Sequence, residues 1–271
     1  MTWERTWLSG IVLAFVLLIP PSLKWKLRAQ WVVPWCLFVG LPAGGVGELA
    51  HQLGYSGVPV VVIQAAVVLG VSLLVLLWRF FRDPERRPPQ DASSILSPAD
   101  GTVLYIREFQ AGEPPAGMKE GCPYSIEEFT QCTVFGGGGV VIGIGMSFLD
   151  VHVNRSPVAG VVRLIRRIPG RFLSLRRPEA LTANERALTV IECDGVPVGV
   201  VQIASRLVRQ IVSFVKEGQH VAAGERIGMI RFGSQVDLIL PRSLRARLTC
   251  REGDQVYAGL SIVAQRDAGG P

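Results

Sequence analysis

Three polar stretches interrupt the apolar second half of the chain, and each carries a side chain that can act in acid–base or nucleophilic chemistry. These side chains are Asp100 in SPADGTV, His152 in FLDVHVNRSPVAG, and Ser234, preceded by Gly233, in RFGSQVD. Serine is a poor nucleophile unless a base removes its proton, and histidine is the natural base at neutral pH. A carboxylate can orient such a histidine and stabilise its cationic form. A fold that brings the three together would therefore support attack by the serine hydroxyl.

Each stretch also has a purely structural interpretation. Asp100 before Gly101 is a typical turn pair between strands. His152 alternates with valines, which predicts an imidazole on one face together with Asp150 and Asn154, as in a buried core histidine. A Gly-Ser pair within a strand usually marks a bulge or a close approach of the backbone. Taken separately, the three stretches do not decide between structure and catalysis.

The composition excludes several classes of protein. Of the 271 residues, 49% are hydrophobic and 18% are charged, whereas soluble domains carry about 25% charged residues, so we expect part of the chain to lie in lipid. The five cysteines form no CxxC pair, which indicates reduced thiols in a cytosol-facing protein. Three histidines are too few for a histidine-rich metal site, and we predict no metal. The net charge of +6 suits an anionic lipid surface better than nucleic acid.

Residues 1–79 are predicted to hold the membrane segments. Residues 58–78 carry no charge, and at about 1.5 Å per residue a helix of this length spans roughly 30 Å, the thickness of the hydrocarbon core. Two weaker apolar stretches, 7–21 and 31–47, are either two further spans or a re-entrant hairpin. Basic residues follow the first and third stretches, so the positive-inside rule predicts that the rest of the chain faces the cytoplasm.

The remainder divides into a linker and one domain. Residues 80–96, which begin FFRDPERRPP, are expected to be a juxtamembrane linker that anchors the chain at the headgroups. Residues 97–271 contain short β-branched segments bounded by Gly, Pro, Asp or Asn, which predicts a mainly β domain of the sandwich or barrel type. Residues 215–230, with two glycine turns, are also typical of lipoyl- and biotinyl-type hairpins. A membrane-anchored, non-catalytic adaptor is therefore an alternative.

The motifs occur in one order along the chain. They are FFRDPER, SPADG, FLDVHVNRSPVAG, NER, QIASRLVRQIV and GERIGMIRFGSQVDLILP. Between residues 80 and 241 this set resembles the phosphatidylserine decarboxylases, in particular the short bacterial and archaeal type. The resemblance implies an enzyme of phospholipid biosynthesis that converts phosphatidylserine to phosphatidylethanolamine at a membrane.

The resemblance further implies that the chain cuts itself between Gly233 and Ser234. Ser234 would become a pyruvoyl cofactor at the start of a small (α) chain, residues 234–271, which stays with a large (β) chain, residues 1–233. The pyruvoyl group would form a Schiff base with the serine amine of the lipid and accept the electrons released with carbon dioxide. Asp100 and His152 are the residues that match the relay of the family. A decarboxylase of a different amino-lipid is a further alternative.

Two assignments stay open. Longer members of the family carry two histidines three residues apart, whereas here Arg155 stands three residues after His152. Arginine cannot act as a base, so either His152 serves both self-cleavage and decarboxylation or another group takes one step. Six arginines between residues 163 and 177 either hold the lipid phosphate or form a solvated basic face.

Overall fold

The chain folds into two compact units, Met1–Trp78 and Arg79–Pro271. The computed structural model describes residues 3–24, 29–110, 125–175, 179–204, 210–230 and 234–267. The N-terminal unit is helical, and the C-terminal unit is built mainly of strands.

The N-terminal helices are α1 (Trp3–Lys24), α2 (Ala29–Gln52) and α3 (Val58–Phe81), of which α3 runs three residues into the second unit. Each is long and apolar enough to cross a membrane. The stretch broken by prolines and glycines forms one continuous helix, α2, in spite of Pro34 and Pro42. The assignment of each helix as a span stays a prediction.

Small residues and one buried amide hold this unit together. A side chain at Gly10 would place its Cβ 2.5 Å from the main-chain nitrogen of Gly44, so α1 and α2 approach each other closely. Gln64, the amide inside the apolar α3, donates from Nε2 to the carbonyl oxygen of Thr6 at 2.9 Å and accepts from the Ser9 hydroxyl at 3.0 Å. A polar side chain in an apolar helix is thereby paired, as a low-dielectric environment requires.

The second unit confirms the predicted mainly β fold. Its strands are β1 (Ser94–Leu96), β2 (Gly101–Phe109), β3 (Gly139–Gly145), β4 (Val153–Arg155), β5 (Gly160–Ile168), β6 (Arg186–Cys193), β7 (Val196–Ala204), β8 (Ile211–Ser213), β9 (His220–Val221), β10 (Arg226–Ile230), β11 (Ser234–Pro241), β12 (Ala246–Leu248), β13 (Gln255–Val256) and β14 (Ile262–Arg266). Among the described residues of this unit there are also two short helices, α4 (Ile126–Thr130) and α5 (Ala180–Ala183), and a 3₁₀ turn, Arg242–Leu244. β1 lies within the stretch expected to be linker.

The strands form one long antiparallel sheet and two small ones. The long sheet has the order β13-β2-β3-β11-β7-β6-β5-β9 and curls into a half-barrel. The small sheets have the orders β1-β14-β12 and β4-β10-β8. β11 lies inside the long sheet and is buried on both faces: Val236 and Leu238 belong to one apolar core and Ile239 to the other. Burial on both faces explains the nearly continuous apolar run VDLILP.

The register brings Asp100 and the backbone of Ser234 to one edge of the long sheet. Thr102, Gly145, Gln235 and Ile203 lie side by side on β2, β3, β11 and β7. Asp100 directly precedes β2 and Ser234 opens β11 opposite Ala204, so both lie at this edge. Gly101 has a φ of 150°, and a Cβ there would lie 2.2 Å from the carbonyl oxygen of Gly145, so only glycine fits beside Asp100.

Candidate active site

His152 immediately precedes β4, and one of its ring nitrogens has no hydrogen-bond partner among the described residues. Its Nδ1 is 2.9 Å from the carbonyl oxygen of Asp150. A carbonyl oxygen only accepts hydrogen bonds, so Nδ1 carries the hydrogen and Nε2 keeps its lone pair. The side chain is fully buried, and within the described ranges Nε2 has no hydrogen-bond partner. An unpaired buried acceptor is costly, so it requires an explanation such as a catalytic role.

Phe80 covers this histidine. The ring centroids of Phe80 and His152 are 3.9 Å apart, and both side chains are fully buried. Burial lowers the pKa of His152 from its ordinary value of 6.5 to about 4, although the negative charges of Asp150 and Asp100 act in the opposite direction. His152 is therefore neutral at pH 7 and can accept a proton at Nε2.

Asp100 is buried, and both of its carboxylate oxygens are already engaged. Arg86 donates from Nη1 to Oδ1 at 2.5 Å and from Nη2 to Oδ2 at 2.8 Å, and the main-chain N–H of Ala258 donates to Oδ1 at 2.8 Å. In the part of the chain that the structure describes, Asp100 makes no hydrogen bond to His152; it acts on the histidine through its charge. The predicted role of Asp100 thus stays a prediction, while the orienting contact is the carbonyl of Asp150.

The predicted cleavage point follows the end of β10. Gly233 lies outside the described residues, and Ser234 is described by its backbone alone, which opens β11 opposite Ala204. The main-chain N–H of Ile230 donates to the carbonyl oxygen of His152 at 3.2 Å. Four residues of extended chain reach at most about 14 Å, which limits how far Ser234 can lie from Ile230 and its hydrogen bond to His152.

The motif NER, residues 184–186, is hydrogen-bonded to this edge of the sheet. The Asn184 side chain donates to the carbonyl oxygen of Ala204 at 2.9 Å, and the N–H of Ala204 donates to the carbonyl oxygen of Glu185 at 2.9 Å. The end of β7, which pairs with Ser234, is fixed on both sides by these bonds.

Two amides, which were not among the predicted site residues, connect the small sheet with the long one. Gln202 donates from Nε2 to Oδ1 of Asn154 at 2.8 Å, and both side chains are buried. Gln202 pairs with Val236 on the long sheet, two residues along from the Ser234 pair, while Asn154 lies on β4, two residues after His152. Their hydrogen bond therefore sets the distance between the strand of the histidine and the strand of the serine. A signal for them existed in the sequence, since both belong to the quoted motifs.

A second buried polar cluster lies on the opposite face of β11. Asp237 accepts from the Tyr105 hydroxyl at 2.6 Å and from Nε2 of Gln235 at 2.7 Å, and the same Nε2 lies 2.7 Å from the Tyr105 oxygen. Burial raises the pKa of Asp237 from 3.8 to about 6, against the effect of its two hydrogen bonds. Gln235, the residue after Ser234, is thereby fixed by Tyr105 and Asp237 on the face of β11 opposite to Val236.

The other basic candidates have structural partners. Arg155 is buried and donates to the carbonyl oxygens of Gly224 and Pro84 at 3.0 Å and to Asp83 at 3.2 Å. Of the six arginines, Arg163 pairs with Glu192 and Arg167 with Glu185, whereas residues 176 and 177 lie outside the described ranges. Among the residues that the structure describes, no cluster of His, Cys, Asp and Glu could hold a metal ion.

Comparisons with known proteins agree with the motif pattern. Residues 73–264 match the family model described as phosphatidylserine decarboxylase. The chain is 41% identical over 206 residues to a putative archaetidylserine decarboxylase proenzyme of Methanothermobacter thermautotrophicus, covering 76% of this chain and 87% of that protein. It is 42% identical over 193 residues to a phosphatidylserine decarboxylase proenzyme of Erythrobacter litoralis, covering 69% and 71% of the two chains. For the proenzyme of the same name from Nitratidesulfovibrio vulgaris the identity is 39% over 235 residues, with 85% and 94% covered.

Proposed function

Because the chain belongs to the phosphatidylserine decarboxylase family, which is a family of carboxy-lyases, we propose that it decarboxylates phosphatidylserine to phosphatidylethanolamine. It does so with a pyruvoyl group that it makes from Ser234 by cutting its own backbone after Gly233. Family membership leaves the non-catalytic adaptor without support. The catalytic unit faces the cytoplasm in this proposal, as the basic residues after the apolar stretches predict.

The observation that carries the proposal is the unpaired Nε2 of His152. A general base needs a free lone pair, a neutral form at working pH and a position near the proton it removes. His152 meets the first two conditions through the Asp150 carbonyl and the cover of Phe80. The hydrogen bond between Ile230 and His152 supports the third, because Ile230 is four residues before Ser234.

Self-cleavage would proceed in two stages. Nε2 of His152 takes the proton of the Ser234 hydroxyl while its oxygen attacks the Gly233 carbonyl carbon; the C–N bond breaks, an ester forms and the freed amine takes up the proton. Loss of the Ser234 α-proton then expels Gly233 as a carboxylate. Water converts the remaining dehydroalanine to the ketone and releases ammonia. A glycine before the serine permits the close approach that the first stage needs.

The residues at the site also fit the lipid reaction. The pyruvoyl group would supply an electron-accepting carbonyl next to the carbon that loses carbon dioxide. His152 would hold a proton at Nε2 and return it to that carbon, and the charge of Asp100 favours this protonated state. The buried Phe80 excludes water from Nε2.

A second substrate is supported by one comparison. Two relatives, at 41% and 40% identity, are named putative archaetidylserine decarboxylase proenzymes. Phosphatidylserine and archaetidylserine share the serine that reacts, so the proposed chemistry serves both. Parallel assays with the two lipids distinguish the substrates.

The test is the replacement Ser234→Ala in the full-length protein. We expect the wild-type protein to give two masses, for residues 1–233 and 234–271, and to release carbon dioxide from phosphatidylserine in mixed micelles. Ser234→Ala should remain one chain without activity. Ser243→Ala, at an exposed serine near the end of β11, is the matched control. It should give two masses and release carbon dioxide, as the wild-type protein does. A wild-type protein of one intact mass would overturn the proposal.

A further inference from the structure

The segment that leaves α3 is built into the candidate site. Residues 80–86, here called the juxtamembrane segment, were expected to be an anchor at the headgroups. Instead, Phe80 packs on His152 and Arg86 pairs with Asp100, so the segment touches both predicted relay residues. Both contacts lie within the second compact unit.

Arg86 and Asp100 form the most buried ion pair of this segment. Their side chains are 6% and 3% exposed, and two parallel N–H···O bonds of 2.5 and 2.8 Å join them. This fork geometry is specific to arginine and fixes the plane of the carboxylate. Nη1 of Arg86 also donates to the carbonyl oxygen of Ala258 at 2.7 Å, and the N–H of Ala258 donates to Asp100. Asp100 therefore has one orientation, set from two sides.

The rest of the segment is fixed by further polar contacts. Arg82 donates to the carbonyl oxygen of Leu149 at 3.1 Å, in the loop that leads to His152. Asp83 pairs with Arg155 at 3.2 Å and with Arg226 at 2.5 Å. Since Arg155 lies on β4 and Arg226 on β10, the segment is tied to the two strands that carry His152 and lead to Ser234.

We propose that Arg86 is a positioning residue of this catalytic centre: its guanidinium holds the Asp100 carboxylate in place, so that Asp100 can stabilise His152 when the histidine carries a proton. The inference rests on the proposed function. Arg86 does not touch the reacting atoms in this role and acts only through Asp100. A carboxylate buried to this degree is strongly unfavourable without its cation, so loss of Arg86 releases Asp100 from the orientation that His152 requires.

The test follows self-cleavage of the full-length chain during cell-free synthesis into lipid nanodiscs. Arg86→Gln should slow release of the small chain by about 100-fold, as expected when one fixed charged partner of a site is removed. Arg86→Lys keeps the charge but cannot bind both oxygens, and should be slowed about 10-fold. Arg87→Gln, at the exposed neighbour outside the segment, removes the same charge and should cut at the wild-type rate.

A double-mutant cycle separates positioning from general stabilisation. If Arg86 acts through Asp100, the double variant Arg86→Gln/Asp100→Asn cuts no more slowly than Asp100→Asn alone, because the two effects are coupled. Additive effects, or wild-type cleavage in Arg86→Lys and Arg86→Gln, would overturn the inference while leaving the proposed function intact. A wild-type chain that is never cut would instead remove the proposed function. Melting curves in the Ser234→Ala background identify a variant that fails to fold, and Arg86→Lys then carries the cycle with Asp100→Asn.

Discussion

Two buried polar clusters lie on either side of the strand that begins with Ser234, and they differ in how completely they are paired. In the cluster of Tyr105, Gln235 and Asp237, the hydroxyl, the amide nitrogen and both carboxylate oxygens have partners at 2.6 to 2.7 Å. Across the strand, His152 has one paired nitrogen and one without a partner in the described residues. His152, Gln235 and Asp237 are buried, and Tyr105 is half-buried.

The difference separates a structural role from a chemical one. A fully paired buried network rigidifies the fold and specifies how its strands meet. A buried acceptor left unpaired costs free energy and adds nothing to stability. It is retained where a proton has to arrive, so the unpaired side of β11 is where we expect chemistry. Substitutions on the two sides should therefore give opposite results.

The largest effect is expected for His152→Gln. Removing a general base typically costs a factor of 10² to 10⁴, so we expect self-cleavage to slow by about 1,000-fold. Its free energy of unfolding should fall by about 2 kcal/mol, because the bond to the Asp150 carbonyl and the ring contact with Phe80 are both lost. The rate is measured as appearance of the small chain, and stability by chemical denaturation in the uncut Ser234→Ala background.

Tyr105→Phe is the counterpart on the other face. It should destabilise the protein by about 1.5 to 3 kcal/mol, the range for a hydrogen bond to a charged group, and leave the cleavage rate unchanged. If Tyr105→Phe stopped cleavage while His152→Gln did not, the two faces would have been assigned the wrong way round.

The next prediction concerns the stability that the buried carboxyl group of Asp237 contributes at different pH values. The folded protein raises the pKa of Asp237 from 3.8 to about 6, so the folded state holds the proton more tightly than the unfolded state. The associated stability is present below pH 4 and is lost as the pH rises through 6; the loss amounts to about 3 kcal/mol at roughly 1.4 kcal/mol per pKa unit. Asp237→Asn cannot ionise and should be spared this loss.

The measurement is the free energy of unfolding from pH 4 to pH 7.5, with and without Asp237→Asn, in the uncut background. The difference between the two proteins should shift by about 3 kcal/mol in favour of asparagine as the pH rises. Titration of His152 is common to both proteins and cancels in the difference. Parallel pH profiles would show that Asp237 does not carry a raised pKa.

The sequence predicted which residues form the candidate site better than it predicted the contacts that these residues make. Asp100 and the start of β11 lie at one edge of the long sheet, and the charge of Asp100 reaches His152, which precedes β4. That the three act together stays a prediction. The mainly β fold also followed from short β-branched segments between turn residues. Strand order did not, because pairs such as β2 with β13 or β1 with β14 join residues more than a hundred positions apart, and local patterns carry no information on such pairing.

The partners of the site residues were missed for the same reason. FFRDPERRPP has the composition of an interfacial anchor, and nothing in it indicates that Arg86 reaches Asp100. Likewise, alternation with valines placed His152 on a face with Asp150, but the contact uses the main-chain oxygen of Asp150, which every residue has. The pattern of side chains in a sequence indicates which chemistry is possible. Hydrogen bonds to main-chain oxygens and ion pairs between distant residues can be identified only from the folded structure.

The smallest expected effect is a shift in the pH dependence of self-cleavage, and it tests why His152 stays neutral. Burial under Phe80 is the leading cause of the low pKa of His152, about 4, and Asp150, Asp100 and the Arg86 paired with it are the charged groups nearby. Only neutral histidine can act as the base, so wild-type cleavage should fall to half near pH 4.

Phe80→Ala admits water to Nε2 and should move this midpoint upward by about one unit, toward the ordinary value of 6.5. Phe214→Ala, at an exposed phenylalanine, is the control and should leave the midpoint in place. An unchanged midpoint in Phe80→Ala would mean that the ring of Phe80 does not set the protonation state of His152, and that neutrality on this side of β11 comes from the rest of the core.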